Sequence, residues 1–114
     1  MKIVHKDQTQ IFKNGENCIA IEYPMGDKDI NGAVAEINGR YPDTGRVFNT
    51  ECKELFYVIE GTGTLTVEGE EVKLAQGDLV LVEPEEKYFF NGHLKLFVPC
   101  APAWNPTQHK KIDE

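Results

Sequence analysis

The 114-residue sequence predicts an all-β fold in a single domain, and three observations carry that prediction. Turn signals made of Gly, Asn, Asp and Pro recur about every six to twelve residues from one end to the other. The segments between them are rich in branched and aromatic residues, which suit a pleated, half-buried surface. No segment holds an apolar stripe of helical period for more than about two turns. Many short strands joined by close turns mean a sandwich or a small barrel.

Residues 10–13 and 18–23 read as a hairpin about Asn14-Gly15, a pair that supplies the positive φ of a tight turn at little steric cost. Residues 24–31 are polar, with Gly26, Asp27 and Asp29, and are expected as a loop. Residues 33–37 alternate weakly as a strand, and 39–45, holding Pro42-Asp43, form the next loop. Leu55-Phe56-Tyr57-Val58-Ile59 is a strongly β-prone run. Residues 62–67 and 71–74 flank Glu68-Gly69-Glu70 as a second hairpin. Gln76-Gly77-Asp78 turns the chain into 79–82, and Pro84-Glu85-Glu86 turns it into Tyr88-Phe89-Phe90. Asn91-Gly92 is expected as a further turn before a last long strand, 94–98. Pro99, Pro102 and Pro106 keep the tail 99–114 from running as a central strand. That tail is expected to wrap the surface, with Trp104 as its apolar anchor.

Apolar residues make up 40% of the chain, too many for a disordered one. With 12 basic and 19 acidic side chains the net charge is −7. Phosphate backbones need clustered Lys and Arg, so nucleic acid is excluded as a partner. No apolar run approaches the ~20 residues of a membrane span. The start, Met1-Lys2-Ile3-Val4-His5-Lys6-Asp7, lacks the apolar stretch of a secretory leader, and a cytoplasmic setting is expected. Cys18, Cys52 and Cys100 are odd in number and have no Cys-x-x-Cys spacing, so they read as free thiols in the core.

Glu54-Leu55-Phe56-Tyr57-Val58-Ile59-Glu60-Gly61-Thr62-Gly63 resembles the first signature of the cupin superfamily, and Gln76-Gly77-Asp78 resembles the entry to its second. From about residue 33 to 98 the strand order and spacing are similar to those of a cupin barrel. The resemblance implies a cupin-type (jelly-roll) β-barrel as one domain over residues 1–114, with a Pro-rich tail at 99–114. It also implies a divalent metal held by three histidines and a glutamate, and here the ligand count goes badly. With the family's usual gap the first-signature histidines fall at Phe48 and Thr50. With the longer gap they fall at Val47 and Asn49, and counting from Gly45 gives Glu51 and Lys53. The second-signature histidine falls at Tyr88. His5, His93 and His109 lie outside both signatures and read as surface histidines. Neutral amide, hydroxyl and phenol oxygens are weak donors for a first-row ion, so no metal and no cofactor is expected.

The resemblance, with strand alternation, turns Glu54 and Phe56 to one face and Tyr88 and Phe90 to another, both toward the barrel interior. With Phe48 and Thr50 these residues form the expected ligand pocket, with aromatic walls, one carboxylate and one phenol. Glu54 as base and Tyr88 as acid are the only catalytic pair the sequence offers. Arg40 and Arg46 flank the Pro42-Asp43 loop and could clamp an acidic ligand, although solvated arginines are the simpler reading. Three functions stand in order: a small-molecule-binding barrel without metal-dependent catalysis, a metal-independent isomerase or epimerase on a carbohydrate, and a metal-dependent cupin enzyme with atypical ligands. A barrel with open edges also calls for cover, so a homodimer is expected, with the segments about Ile3-Val4 and Ile11-Phe12 reaching across.

Overall fold

A computed structural model describes residues 1–114 and contains nine strands and no α-helix. They are β1 (Gln10–Gly15), β2 (Cys18–Tyr23), β3 (Asn31–Tyr41), β4 (Arg46–Asn49), β5 (Lys53–Val67), β6 (Glu70–Ala75), β7 (Leu79–Val82), β8 (Tyr88–Ala101) and β9 (His109–Ile112). All pairings are antiparallel, in the order β1-β2-β3-β8-β4-β9, with β5 joining β8 to β6 and β7. The sheet curls so that the even-numbered side chains of β8, from Tyr88 to Cys100, face its concave side. There they meet Phe56 and Val58 of β5.

Three expectations about local structure are corrected. The first hairpin forms, but it turns at Glu16-Asn17, because Gly15 stays paired with Cys18 after a register shift. Asn91-Gly92 makes no turn: β8 runs unbroken from Tyr88 to Ala101, with Pro99 inside it opposite Gly32. The tail beyond Trp104 does more than wrap the surface, since β9 pairs with β4 along its whole length. The hairpin at Glu68-Gly69 and the turns at 76–78 and 84–86 fall where the sequence puts them, with Glu68, Gly69, Gly77 and Glu85 all at positive φ.

Gly92 has a tertiary reason for being glycine. It lies opposite Gly63 in the β5–β8 ladder at φ +135°, and a methyl group there would stand 2.5 Å from the Gly63 Cα. The two longest strands touch backbone to backbone at this point, next to a bulge between Val58 and Glu60.

The outer face carries an apolar row. Leu79, Tyr57, Phe97, Val34, Ile21 and Ile11 are direct cross-strand neighbours over six adjacent strands. Leu79 is 59% exposed, Phe97 45% and Ile11 71%.

Gly92→Ala should lower stability by about 3 kcal/mol, because it adds backbone overlap to a strained φ. Gly69→Ala, also at positive φ but with open space around it, should cost about 1 kcal/mol. Urea denaturation midpoints of the two variants check the difference, and equal losses would show that the close approach is not limiting.

Candidate functional site

Alternation along β5 turns Glu54, Phe56 and Val58 inward, and along β8 it turns Tyr88, Phe90, Leu94, Leu96, Val98 and Cys100 inward. The rings of Phe56, Tyr88 and Phe90 meet edge to face, with centroids 5.0–5.8 Å apart, and fill one end of the barrel. Above them lies a cavity of about 70 Å³, lined by Glu54, Phe56, Tyr88 and Phe90 together with Tyr41, Cys100, Trp104 and His109. Through Asn14, Glu22, Asn31 and Trp104 it joins a wider outer groove of about 390 Å³, bordered by Phe12, Tyr23, Met25 and Pro106. Neither compartment has a Lys or Arg in its wall, while both touch Glu22.

Four of the six residues expected in the pocket are in its wall: Glu54, Phe56, Tyr88 and Phe90. Phe48 and Thr50 are not. On β4 the inward residues are Val47 and Asn49, so the longer signature gap is the true register. Phe48 points outward beneath the Lys87 ammonium, 5.1 Å from its ring centroid, and Thr50 bonds the Gln108 carbonyl. Arg40 does not clamp a ligand: its guanidinium binds the carbonyls of Pro42 (2.7 Å) and Gly45 (3.0 Å) over the Phe89 ring. Arg46 pairs with Glu114.

The largest correction concerns His109. It reads as a surface residue of a lysine-bearing tail, yet it lines the cavity. A turn at Pro106–Gln108, capped by the Asn105 side chain on Thr107 N (3.1 Å), starts β9 with this imidazole pointing inward. Trp104 is fixed beside it, because Asn31 accepts from Trp104 N (2.9 Å) and donates to its carbonyl (3.0 Å).

One amide ties these groups together. Asn49 Oδ1 accepts from Trp104 Nε1 (3.2 Å), Gln108 Nε2 (3.0 Å) and His109 Nδ1 (2.7 Å). The indole can only donate, and the Gln108 oxygen is already taken by the amides of Glu51 and Cys52, so the Asn49 oxygen must face this way. Its Nδ2 then donates to Glu54 Oε1. The same logic fixes the histidine tautomer: Nδ1 carries the proton, and Nε2 accepts from the Tyr41 hydroxyl at 3.0 Å.

Glu54 is 5% exposed. Besides Asn49 it accepts from the Tyr88 hydroxyl (3.0 Å) and, on Oε2, from the Cys100 thiol (3.4 Å). Burial without a cation raises its pKa, and the three hydrogen bonds only partly oppose this. Glu22 is raised by burial and by the Glu54 charge. Burial pushes Tyr41 and Tyr88 up and lowers His109 to about 4, so at neutral pH both phenols and the imidazole are uncharged. The Cys100 thiol is raised by its hydrogen bond with Cys52 and by burial, and burial lifts Cys18 to about 12, so neither is a nucleophile at neutral pH. Every buried side-chain N and O has a partner, so the network is complete without a ligand.

The site lies in a small, curled β-barrel, and the comparisons give its fold. The chain has the cupin fold: residues 43–93 match the cupin domain family, and solved cupin structures superpose on it. A nucleoside dehydratase from Streptomyces superposes with a TM-score of 0.89 at 18% identity, covering 99% of this chain and 92% of that one. Variants of it are solved with uridine. The polyketide cyclase RemF from Streptomyces resistomycificus gives 0.73 at 20% identity over 100% and 87%, and ectoine synthase from P. lautus gives 0.71 at 15% over 98% and 90%. No curated protein matches the chain in sequence.

The metal centre common on this fold does not fit these residues. No three His, Cys, Asp or Glu side chains converge on one point. The inward signature positions hold Val47, Asn49 and Tyr88, and Glu54 already accepts three donors.

Two buried groups give stability opposite pH slopes. Glu54, with its folded pKa raised, contributes fully below about 4.5, and that contribution is lost as pH rises through the folded value. His109, lowered from 6.5 to about 4, contributes above 6.5 and loses up to roughly 3 kcal/mol as pH falls toward 4. Melting temperatures from pH 4 to 8 should therefore show Glu54→Gln equal to or above wild type at pH 8 but falling more steeply on acidification. His109→Gln should fall less steeply. A loss of several degrees in Glu54→Gln at pH 8 would instead mean a well-paired, ionised glutamate.

Proposed function

We propose that this cupin binds an uncharged, hydroxyl-bearing small molecule that carries a ring, with nucleoside-like chemistry and without a metal. The observation that carries the reading is the wall of the two joined compartments. An inner pocket offers the remaining acceptor sites of Glu54 and of the Tyr88 and Tyr41 hydroxyl oxygens to ligand hydroxyl groups, and the outer groove offers Phe12, Tyr23, Trp104 and Pro106 to a flat ring. The inner cavity alone holds about five waters and is too small for a drug-sized molecule; with the groove it falls in the usual range for ligand sites. Three carboxylates, Glu54, Glu22 and Asp27, with no basic residue in the wall make the site hostile to phosphates and carboxylates. The Streptomyces nucleoside dehydratase, solved with uridine, adds support from a protein of the same fold. A metal-independent isomerase or epimerase of a carbohydrate is the second reading, favoured by the neutral imidazole in the wall.

Trp104 is the only tryptophan, so its fluorescence reports the groove directly. Titration with uridine should change that emission saturably, with and without EDTA, while uridine 5′-monophosphate should bind at least about tenfold more weakly. Equal affinity for the phosphate, or loss of uridine binding in EDTA, counts against this reading.

The expected homodimer also becomes a proposal, through a surface that keeps Ile11 but not Ile3-Val4. Ile3-Val4 lies outside every strand, whereas the outer row from Leu79 to Ile11 spans ~24 Å at the usual strand spacing. An exposed apolar row this long is a candidate interface, and two copies can bury it by two-fold symmetry. Light scattering should give twice the 12.9 kDa chain mass, and Phe97→Lys should halve it. A monomer mass for wild type at micromolar concentration rejects the pairing.

A further inference from the structure

We propose that Tyr41 and His109, held by Asn49, form a proton relay that makes the cavity a catalytic site for acid–base chemistry at a carbon beside a carbonyl. This rests on the ligand reading above and gives the bound hydroxylated molecule a reaction. The geometry is that of an activated side chain: the Tyr41 hydroxyl donates to His109 Nε2 at 3.0 Å, and His109 Nδ1 is oriented by Asn49 Oδ1 at 2.7 Å. Both rings line the cavity. The pair the sequence offered is less free to act, since Glu54 accepts from three donors and the Tyr88 hydroxyl is committed to it.

The Tyr41 phenol is buried and holds its proton far above the ordinary range, so it does not ionise alone. It can take a proton only as it passes its own to His109. In the step, the substrate C–H bond breaks and its proton goes to Tyr41 Oη while the Tyr41 proton moves to His109 Nε2. The C–H electron pair forms the C=C bond of an enolate, and the carbonyl π pair moves to its oxygen. Reverse transfer to the neighbouring carbon, with the hydroxyl proton passing between the two oxygens, isomerises the substrate and restores a neutral imidazole. No oxidant, reductant or second substrate is consumed. The imidazolium forms in a cavity that holds two carboxyl groups, Glu22 and Glu54, and no competing cation. Asn49 is a positioning residue: it touches the imidazole and sets its tautomer.

Dihydroxyacetone is a suitable probe, because it is small enough for the inner cavity and exchanges C–H for C–D once per enolisation in heavy water. Proton NMR should show wild type accelerating this exchange about a hundredfold or more over buffer. Tyr41→Phe, which keeps the ring, should return it to the buffer rate. His109→Ala should do the same and recover with added imidazole, which a merely structural role would not allow. Exchange at the buffer rate in wild type, undiminished exchange in Tyr41→Phe, or a His109→Ala loss that imidazole leaves unchanged would each overturn the relay. Uridine titration of the same samples separates the two readings. Saturable uridine binding without exchange leaves the ligand site and removes the relay, and Tyr41-dependent exchange without uridine binding does the reverse. If both are absent, both readings fail.

Discussion

The amide of Asn49 is the constraint on which the site depends. A side chain with one acceptor and one donor end stands between a set of N–H groups and a buried carboxylate, and it can satisfy both in only one orientation. That orientation joins β4 to the tail, because Trp104, Gln108 and His109 all bond the same oxygen. It also joins β4 to β5, because Nδ2 reaches Glu54. In a low-dielectric interior a half-satisfied network of this kind would cost more than an apolar core. Here every member has a partner.

Charge decides the chemistry the cavity can accept. A buried glutamate is normally stabilised by a cation or a metal, and Glu54 has three neutral or weakly acidic donors instead. Its carboxyl therefore sits high in pKa, and Glu22 at the mouth is raised in part by the same charge. The walls are polar enough to hold hydroxyl groups yet lack any counter-charge for an anion. The fold alone would not distinguish these outcomes, since cupin barrels of nearly the same shape include a nucleoside dehydratase, a polyketide cyclase and ectoine synthase.

Much of the barrel was legible in the sequence. The β run at Leu55–Ile59 and the hairpin at Glu68-Gly69 follow from side-chain shape and backbone freedom, which are local properties. So does the inward face of β5, because a two-residue period leaves no choice once Glu54 is placed. The same local logic failed at Asn91-Gly92. An Asn-Gly pair signals positive φ, but whether that φ makes a turn or lets two strands touch depends on Gly63, 29 positions away.

The sequence by itself determined an all-β fold and which residues share a strand face, because periodicity and turn chemistry act over a few residues, and its resemblance to the cupin signatures turned Glu54, Phe56, Tyr88 and Phe90 toward the interior. It did not decide between Phe48 and Asn49. A one-residue slip exchanges the two faces of a strand, and only pairing with Tyr88 and β9 settles the register of β4. Nor did it show that His109 is a cavity residue. That histidine follows a polar, proline-bearing tail with no periodic signal. It turns inward only because β9 pairs with β4, and its tautomer is set only because an indole from the same tail has a proton to donate.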